Sequence, residues 1–234
     1  MVQLADNLTE TQGRNATWWN ELTSPECMHY KRVPADVDWV DHPSFQDESA
    51  EASYFGDAAD DIDIPEWTQF PEVPEDAEPR RGGKRTSLSK AEEQLLFCRY
   101  NYARYRLANA LDAQRQRPSA RKAREVLTWH ARVLETRSDL ARANMALVVA
   151  MCKRTRIPNV EFTELVSEGN MALLRALEKF DISRGFKFST YACRAILKAF
   201  NRLATKTGRY RQHFPAEYDP DMEKSDYDVK REEM

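Results

Sequence analysis

The sequence predicts an all-α fold in which a compact helical bundle is flanked by acidic, mostly disordered tails. Between Ser89 and Lys206, apolar residues recur at steps of three and four, the period of helices with one buried side. Residues that start and stop helices divide this stretch. Outside it, the chain is acidic and its apolar residues are sparse. The predicted units are an amino-terminal segment over 1–85, a helical domain over 86–212 and an acidic tail over 213–234.

Charge is strongly segregated along the 234 residues, although the formal net charge is only -3. Residues 1–79 hold 19 acidic residues against 3 basic ones, and residues 216–234 hold 8 against 3. The middle, residues 80–215, holds 29 basic residues against 11 acidic ones. A basic middle between acidic ends indicates that the middle binds a polyanion.

Composition and motifs disfavour several classes of function. The longest apolar runs, such as residues 146–152, are too short to cross a membrane, and no secretion signal begins the chain, so a cytoplasmic location is expected. The four cysteines show neither disulfide nor zinc spacing. Without a phosphate-binding glycine loop, a metal-ligand cluster or a nucleophile triad, the chain is expected to have no cofactor, no metal and no enzymatic activity.

The amino-terminal segment is broken by prolines and carries many acidic residues, which favours disorder over residues 1–79. It also carries aromatic residues, and acidic chains with aromatics can dock onto a basic surface. Two interpretations stay open: a mask that competes with nucleic acid for the basic middle, or a solubilising tail. Residues 80–85 are predicted to form a basic hinge, because Gly82 and Gly83 disfavour regular structure. The aromatics are Trp18, Trp19, Tyr30, Trp39, Phe45, Tyr54, Phe55, Trp67 and Phe70.

Helical signals begin at Ser89, which forms a predicted capping box with Glu92. The aromatic and basic helix that follows is expected to end over residues 112–118, where Pro118 interrupts the pattern. A second helix is predicted over residues 120–136.

Three further signals divide the rest of the domain. Ser138 is predicted to cap a third helix that ends at the Ile157-Pro158-Asn159 run, and Thr163 to cap a fourth. Gly169 lies inside this fourth helix, where glycine costs about 1 kcal/mol relative to alanine. Its presence indicates either the close approach of another helix or partner, or packing alone. Gly185 marks the turn before the last helix.

The last helix has two unlike faces. Its apolar face is formed by Phe188, Tyr191, Ala192, Ala195, Ile196, Ala199, Phe200 and Leu203. A basic stripe runs beside it, with Arg194, Lys198, Arg202 and Lys206 at four-residue steps. The aromatic residues Phe186 and Phe188 lie just before the first cation of this stripe. Rings beside a line of cations suit single-stranded nucleic acid, although a solvated charged face gives the same pattern.

Four blocks in this half of the chain resemble region 2 of bacterial RNA polymerase sigma factors, in the order of that family and nearly at its spacing. A fifth stretch, with Leu88, Ser89, Glu92 and Glu93, resembles sigma region 1.2. The resemblance implies a bundle of the sigma region 2 type. The four blocks are residues 144–149, 164–170, 178–181 and 184–192.

The resemblance implies that the chain binds core RNA polymerase and captures the non-template strand of the promoter -10 element. By position, the pocket and stacking wall for the captured strand would be formed by Phe180, Arg184, Phe186, Phe188 and Tyr191. Other contacts to DNA would come from Lys187, Arg194, Lys198, Asn201 and Arg202, and the downstream captured base would lie near Arg142 and Asn144.

The polymerase contact implied by the resemblance lies on the fourth helix, against the clamp coiled coil of the large catalytic subunit. Its residues would be Glu164, Ser167, Glu168, Asn170 and Leu174. An anti-sigma factor is a further partner that the resemblance allows.

One departure from the pattern concerns two positions that hold a tryptophan wedge in primary sigma factors. Here they are Arg194 and Ala195, and Lys198 stands where an amide is expected. This favours a divergent, alternative sigma factor. A region 2 without the family's carboxy-terminal promoter reader is also compatible with a regulatory protein that binds polymerase and does not initiate transcription.

Overall fold

The structure is a computed structural model that describes residues 17–56, 62–64, 88–155, 157 and 160–213, with side chains in the last helix up to Arg209. These residues form helices and connecting turns and contain no strand, so the predicted all-α fold is confirmed. The predicted hinge over residues 80–85 and the acidic tail beyond residue 213 lie outside the described residues. No helix in the described part is long and apolar enough to cross a bilayer.

A helical hairpin forms the centre of the molecule. Helix α4 (Lys90–Gln116) begins at the predicted capping box: the Ser89 amide donates to a Glu92 carboxylate oxygen at 2.8 Å, and the Glu92 amide donates to Ser89 Oγ at 3.3 Å. The predicted break around Pro118 is confirmed, and α5 (Ala120–Arg154) follows with Ser119 as its cap. Among the described residues, five shorter helices and two 3-10 turns pack around this pair.

Helix α5 is continuous, so the predicted helix start at Ser138 is wrong. Ser138 is exposed in the middle of a 35-residue helix. A serine whose side chain faces water is tolerated inside a helix, and the apolar period continues on both sides of it, which outweighs the capping signal. Two residues earlier, the Thr136 hydroxyl donates to the carbonyl of Arg132 at 2.8 Å, within the same helix.

Helices α6 (Phe162–Lys179) and α7 (Phe188–His213) pack on the amino-terminal half of α4 and the carboxy-terminal half of α5. The cap of α6 is Glu161, so Thr163 lies in the first turn instead of capping the helix as predicted. The predicted turn at Gly185 is confirmed by its φ of 72°, which favours glycine. The first core, between these four helices, includes Phe97, Leu140, Leu173, Leu177, Phe188, Ile196 and Phe200.

Gly169 lies where α5, α6 and α7 meet, so packing between helices accounts for it. A Cβ at this position would lie 2.7 Å from Cγ1 of Val148 and 3.4 Å from the ring of Phe200. Both neighbours are fully buried, and valine has little rotamer freedom with which to move aside.

Gly169→Ala is therefore expected to lower the free energy of unfolding by about 1 kcal/mol, because overpacking of about 1–3 kcal/mol exceeds the gain in helix propensity. The matched control is Gly208→Ala in α7, where a Cβ meets nothing within 4 Å. That change should stabilise the chain by up to about 1 kcal/mol. Thermal unfolding followed by circular dichroism compares the two, and a more stable Gly169→Ala variant would contradict this assignment.

The amino-terminal segment, defined here as residues 17–56, is folded onto the other end of the α4–α5 hairpin. It contains α1 (Thr17–Asn20), α2 (Ser24–Tyr30), a 3-10 turn (Pro43–Gln46) and α3 (Ala50–Phe55). The predicted disorder therefore does not hold for these residues. The second core, shared by the segment and the hairpin, includes Trp18, Leu22, Tyr30, Val33, Phe45, Tyr102, Leu107, Leu111, Val126 and Trp129.

Charge complementarity accompanies this packing. Glu51 forms ion pairs with both Arg106 and Arg132, and these two guanidinium groups lie 4.5 and 4.4 Å from the Trp129 ring. Composition predicted disorder because the segment alone cannot bury its rings. The hairpin supplies the missing apolar and cationic surface. This docking site is on α4 and α5, whereas the basic side chains of α7 described below are exposed.

Candidate nucleic-acid interface

A cavity of about 570 Å³ lies between the end of α6 and the first turns of α7, and we call it the aromatic pocket. Phe180 forms its floor: the side chain is 4% exposed, and its ring centroid lies 5.5 Å from that of Tyr191. Phe186 stands at the rim with 68% of its surface exposed. The lining residues are Lys179, Phe180, Asp181, Arg184, Phe186, Thr190, Tyr191 and Arg194.

Phe188 does not take part in this pocket, which corrects the prediction that it contacts DNA. Its side chain has no exposed surface, and its ring packs 5.2 Å from Phe180 and 5.0 Å from Phe97. Phe188 is the first residue of α7 and precedes the buried Ala192 by one helical turn. Both side chains therefore lie on the face of α7 that packs on the core. Phe188 therefore supports the pocket floor from behind.

The loop that connects α6 to α7 is held by Asp181. Its carboxylate accepts hydrogen bonds from the Ser183 amide at 3.0 Å and from the Ser183 hydroxyl at 2.5 Å. It also forms an ion pair with Nε of Arg184 at 3.0 Å. These bonds, chiefly the one from the Ser183 side chain, lower the pKa of Asp181 below its usual value. The carboxylate therefore stays ionised at neutral pH and fixes Arg184 at the pocket wall.

An open groove continues from the aromatic pocket along α7. Arg194 lines both cavities, so the pocket and the groove are contiguous. The cations of the groove are exposed, and none of them takes part in an ion pair among the described residues. We call them the basic ridge: Arg194, Lys198, Arg202, Lys206 and Arg209. The groove is also lined by Leu197, Asn201 and Thr205.

A second, smaller cavity of about 290 Å³ lies between the starts of α4 and α7 and the middle of α5. Two of the predicted residues, Lys187 and Asn144, line it. Arg142 does not: its side chain is exposed and pairs with Asp139 on the same helix. The sequence placed Arg142 beside Asn144, but a two-residue step turns a helix by about 200° and separates the two side chains. The remaining lining residues are Leu88, Lys90, Glu93, Ala143 and Ser189.

The five predicted polymerase-binding residues lie on α6, and none of them is among the buried residues of the first core. Glu164 and Ser167 are exposed, whereas Glu168 is partly buried and lies 3.8 Å from Arg175. Asn170 and Leu174 are half-buried, and Leu174 also packs on the first core. The sequence reading missed Met171, which is 48% exposed and stands between Ser167 and Leu174 at helical spacing.

Several residues of the candidate interface were also missed by the sequence analysis. Lys206 belongs to the predicted basic stripe but was not predicted to contact DNA. The signal that could have identified it is its four-residue spacing from Arg202. Arg209 follows Lys206 by one turn of the same helix. Lys90 and Glu93 lie on α4, far from the other members in sequence, and no local pattern links them to Asn144. Their proximity follows only from how the helices pack.

Comparisons with known proteins find similarity to RNA polymerase sigma factors. The family model described as Sigma-70 region 2 matches residues 140–210. The RNA polymerase sigma factors SigA of Listeria monocytogenes and of Listeria innocua are each 45% identical to this chain over 76 residues. That stretch is 32% of this chain, and it spans 20% of the length of either relative. The matched region contains α6, most of α7, the aromatic pocket and the basic ridge, and residues 17–56 lie outside the region-2 match.

The geometry and the comparisons therefore lead to one assignment. A ring-lined pocket, a contiguous basic ridge and an amphipathic helix beside them lie within one matched region. The recognition of sigma region 2 from the four sequence blocks is confirmed. Residues 140–210 of this chain match region 2 of the sigma-70 family of RNA polymerase sigma factors.

Proposed function

We propose that the chain acts as a sigma factor: it binds core RNA polymerase and captures the non-template strand of a promoter -10 element during initiation. The observation that carries this proposal is the continuity of the aromatic pocket with the basic ridge through Arg194. A strand whose base enters the pocket leaves its neighbouring phosphates beside the cations of α7. In this role the chain is a DNA-binding subunit and not an enzyme.

Strand capture requires compensation for lost stacking and pairing, which costs a few kcal/mol for an extruded base. Stacking of a base on an aromatic side chain contributes about 1–3 kcal/mol. In the aromatic pocket, Phe186 and Tyr191 have enough exposed ring surface to stack, and Phe180 offers its edge as the floor. Two or three such contacts offset the unpairing of one or two bases.

The smaller cavity between α4, α5 and α7 suits a second unpaired base. Lys187 and Lys90 supply cations for a phosphate, and Asn144 and Glu93 supply groups that can hydrogen-bond to a base edge. The amide nitrogen of Asn144 donates to the Leu140 carbonyl at 2.8 Å, which fixes the orientation of the side chain. The captured strand would then run from Tyr191 across Lys187 to this cavity.

Arg194 and Ala195 stand where primary sigma factors are expected to have an aromatic wedge. Arg194 is exposed between pocket and ridge, whereas Ala195 is half-buried. A guanidinium group can stack on a base or pair with a phosphate, but it covers less of the duplex edge than two indole rings. We therefore propose an alternative sigma factor that depends on promoters that melt easily.

Glu168→Arg is expected to abolish the capture of core RNA polymerase in a pull-down. The proposed contact face centres on Glu168 and Met171 of α6, and a like charge across an interface costs several kcal/mol. Glu135→Arg, at an exposed position on α5 outside this face, is the matched control and should leave polymerase binding unchanged.

Run-off transcription with core polymerase completes the test. The wild-type chain should initiate on a template with a pre-melted -10 region and more weakly on a duplex. Equal polymerase capture by Glu168→Arg and wild type would contradict the assigned face. Polymerase binding without initiation on either template would identify the chain instead as a regulatory protein that occupies polymerase.

A further inference from the structure

Arg104 is a buried cation at the centre of the hairpin. Its side chain lies on α4, the residue is 7% exposed, and no ion pair among the described residues includes it. The guanidinium carbon lies 5.1 Å from the ring centroid of Tyr100. Nη1 donates two hydrogen bonds, to the carbonyl oxygen of Glu178 at 3.1 Å and to Oδ1 of Asn101 at 3.2 Å. A buried charge needs such partners, so these two acceptors are what hold Arg104 in place.

The acceptor on Glu178 belongs to the last turn of α6. The final carbonyls of a helix have no partner within the helix, and they carry the negative end of its dipole, so a cation is stabilised there. Phe180 follows Glu178 by two residues and forms the floor of the aromatic pocket. The bond from Arg104 therefore fixes the point at which the backbone leaves α6 and enters the pocket.

Asn101 extends this connection to the amino-terminal segment. Its Oδ1 accepts a second hydrogen bond, from the backbone amide of Val40 at 3.1 Å, and its Nδ2 donates to the carbonyl of Phe97 at 3.1 Å. Asn101 is 2% exposed, and both ends of its amide group are engaged. The ring of Phe97 packs 4.9 Å behind Phe180. A backbone group of the acidic segment thus connects to the pocket floor through two side chains.

We propose that Arg104 is a positioning residue for the aromatic pocket, and that the amino-terminal segment acts on strand capture through Val40, Asn101 and Arg104. This proposal rests on the proposed function of the pocket in capturing an unpaired base. It assigns a task to residues 17–56 that is distinct from masking: the segment supports the pocket from behind the hairpin. No contact between Arg104 and DNA is involved.

A second contact to Glu178 of α6 provides a matched control. Arg137 of α5 pairs with Glu178 through the side-chain carboxylate at 2.8 Å, and not through the carbonyl. Arg137→Met removes a cation near Glu178 and leaves the bond from Arg104 to the backbone intact. Arg104→Met removes the bond to the backbone and leaves the side-chain ion pair. The two variants separate control of the pocket floor from general destabilisation near the end of α6.

The experiment measures the affinity of the full chain for two fluorescent single-stranded oligonucleotides, with and without core polymerase. One carries a complete -10-like sequence, and the other has an abasic site at the captured position. The ratio of the two affinities reports the pocket alone, because backbone contacts and overall stability affect both ligands equally. Arg104→Met should lower this ratio about tenfold, whereas Arg137→Met should preserve it. Arg104→Lys keeps the charge and one donor and should retain most of the ratio.

Asn101→Ala is the second variant, for use if Arg104→Met does not fold. It keeps the guanidinium but removes the link to Val40, and it should lower the ratio by a smaller factor. An unchanged ratio in whichever of these two variants folds would overturn the proposal. A wild-type chain that binds both oligonucleotides equally would instead refute base capture by the pocket, which is a failure of the proposed function and not of the positioning role.

Discussion

Removal of residues 1–56 is expected to unfold the end of the α4–α5 hairpin instead of strengthening DNA binding. The deletion takes away Trp18, Leu22, Tyr30, Val33 and Phe45, which are all buried against the hairpin. Burial of each such side chain contributes about 1.5–3 kcal/mol, and a whole domain is stable by only about 5–15 kcal/mol. The truncated chain should lose its cooperative thermal transition, and hydrogen exchange should show early opening around Trp129.

A single substitution tests the same interface in the full chain. Tyr30→Ala should destabilise by about 3–5 kcal/mol, because the side chain has no exposed surface. Met28→Ala on the same helix is the control: Met28 is 59% exposed, and the change should stay within about 0.5 kcal/mol. If the truncated chain unfolds like the full one and binds DNA more tightly, the masking interpretation is correct and the packing interpretation is wrong.

Reversal of two charges on the basic ridge should weaken binding of single-stranded promoter DNA on the order of a hundredfold at low salt, because in the proposed function each exposed cation contacts one phosphate. The change is Lys198→Glu with Arg202→Glu, two residues on the exposed side of α7. In a plot of log affinity against log salt concentration, the slope for single-stranded DNA should fall in magnitude by about 1.4. Fluorescence anisotropy across a salt series measures both quantities.

Arg117→Glu with Arg121→Glu is the matched control for this pair. Both arginines are exposed, but they lie at the turn between α4 and α5 and line neither the aromatic pocket nor the groove along α7. The control carries the same change in net charge, so a general electrostatic effect would lower affinity equally in both variants. Equal losses would remove the reason for assigning nucleic-acid binding to α7.

Local patterns predicted the parts of the fold that depend on local interactions. The capping box at Ser89, the break at Pro118 and the turn at Gly185 each lie within a few residues of the structure that they determine. The four-residue spacing of cations predicted the basic ridge, because one helix places them side by side. Most of the aromatic pocket was also predictable, since its residues are within sixteen positions of one another.

The predictions that failed depend on surfaces that meet only in three dimensions. Phe188 could not be distinguished from Phe186 by residue type; its place on the apolar face of α7 was the available signal, and in the structure it packs on Phe97 of α4. Composition predicted disorder for residues 17–56 because their apolar residues are few. Phe45 packs on Tyr102 and Tyr105 of α4, which are more than fifty residues away in the chain, so no window of the sequence shows them together.

The continuity of α7 has a consequence for how a strand is registered. The same helix carries Tyr191 at the pocket and Arg209 at the last described cation, about 27 Å apart at 1.5 Å per residue. A straight helix does not stretch, so the distance between the pocket and the last described cation cannot adjust to different ligands. If the chain captures a strand as proposed, the length of strand that it covers is therefore set by this helix before any base is read.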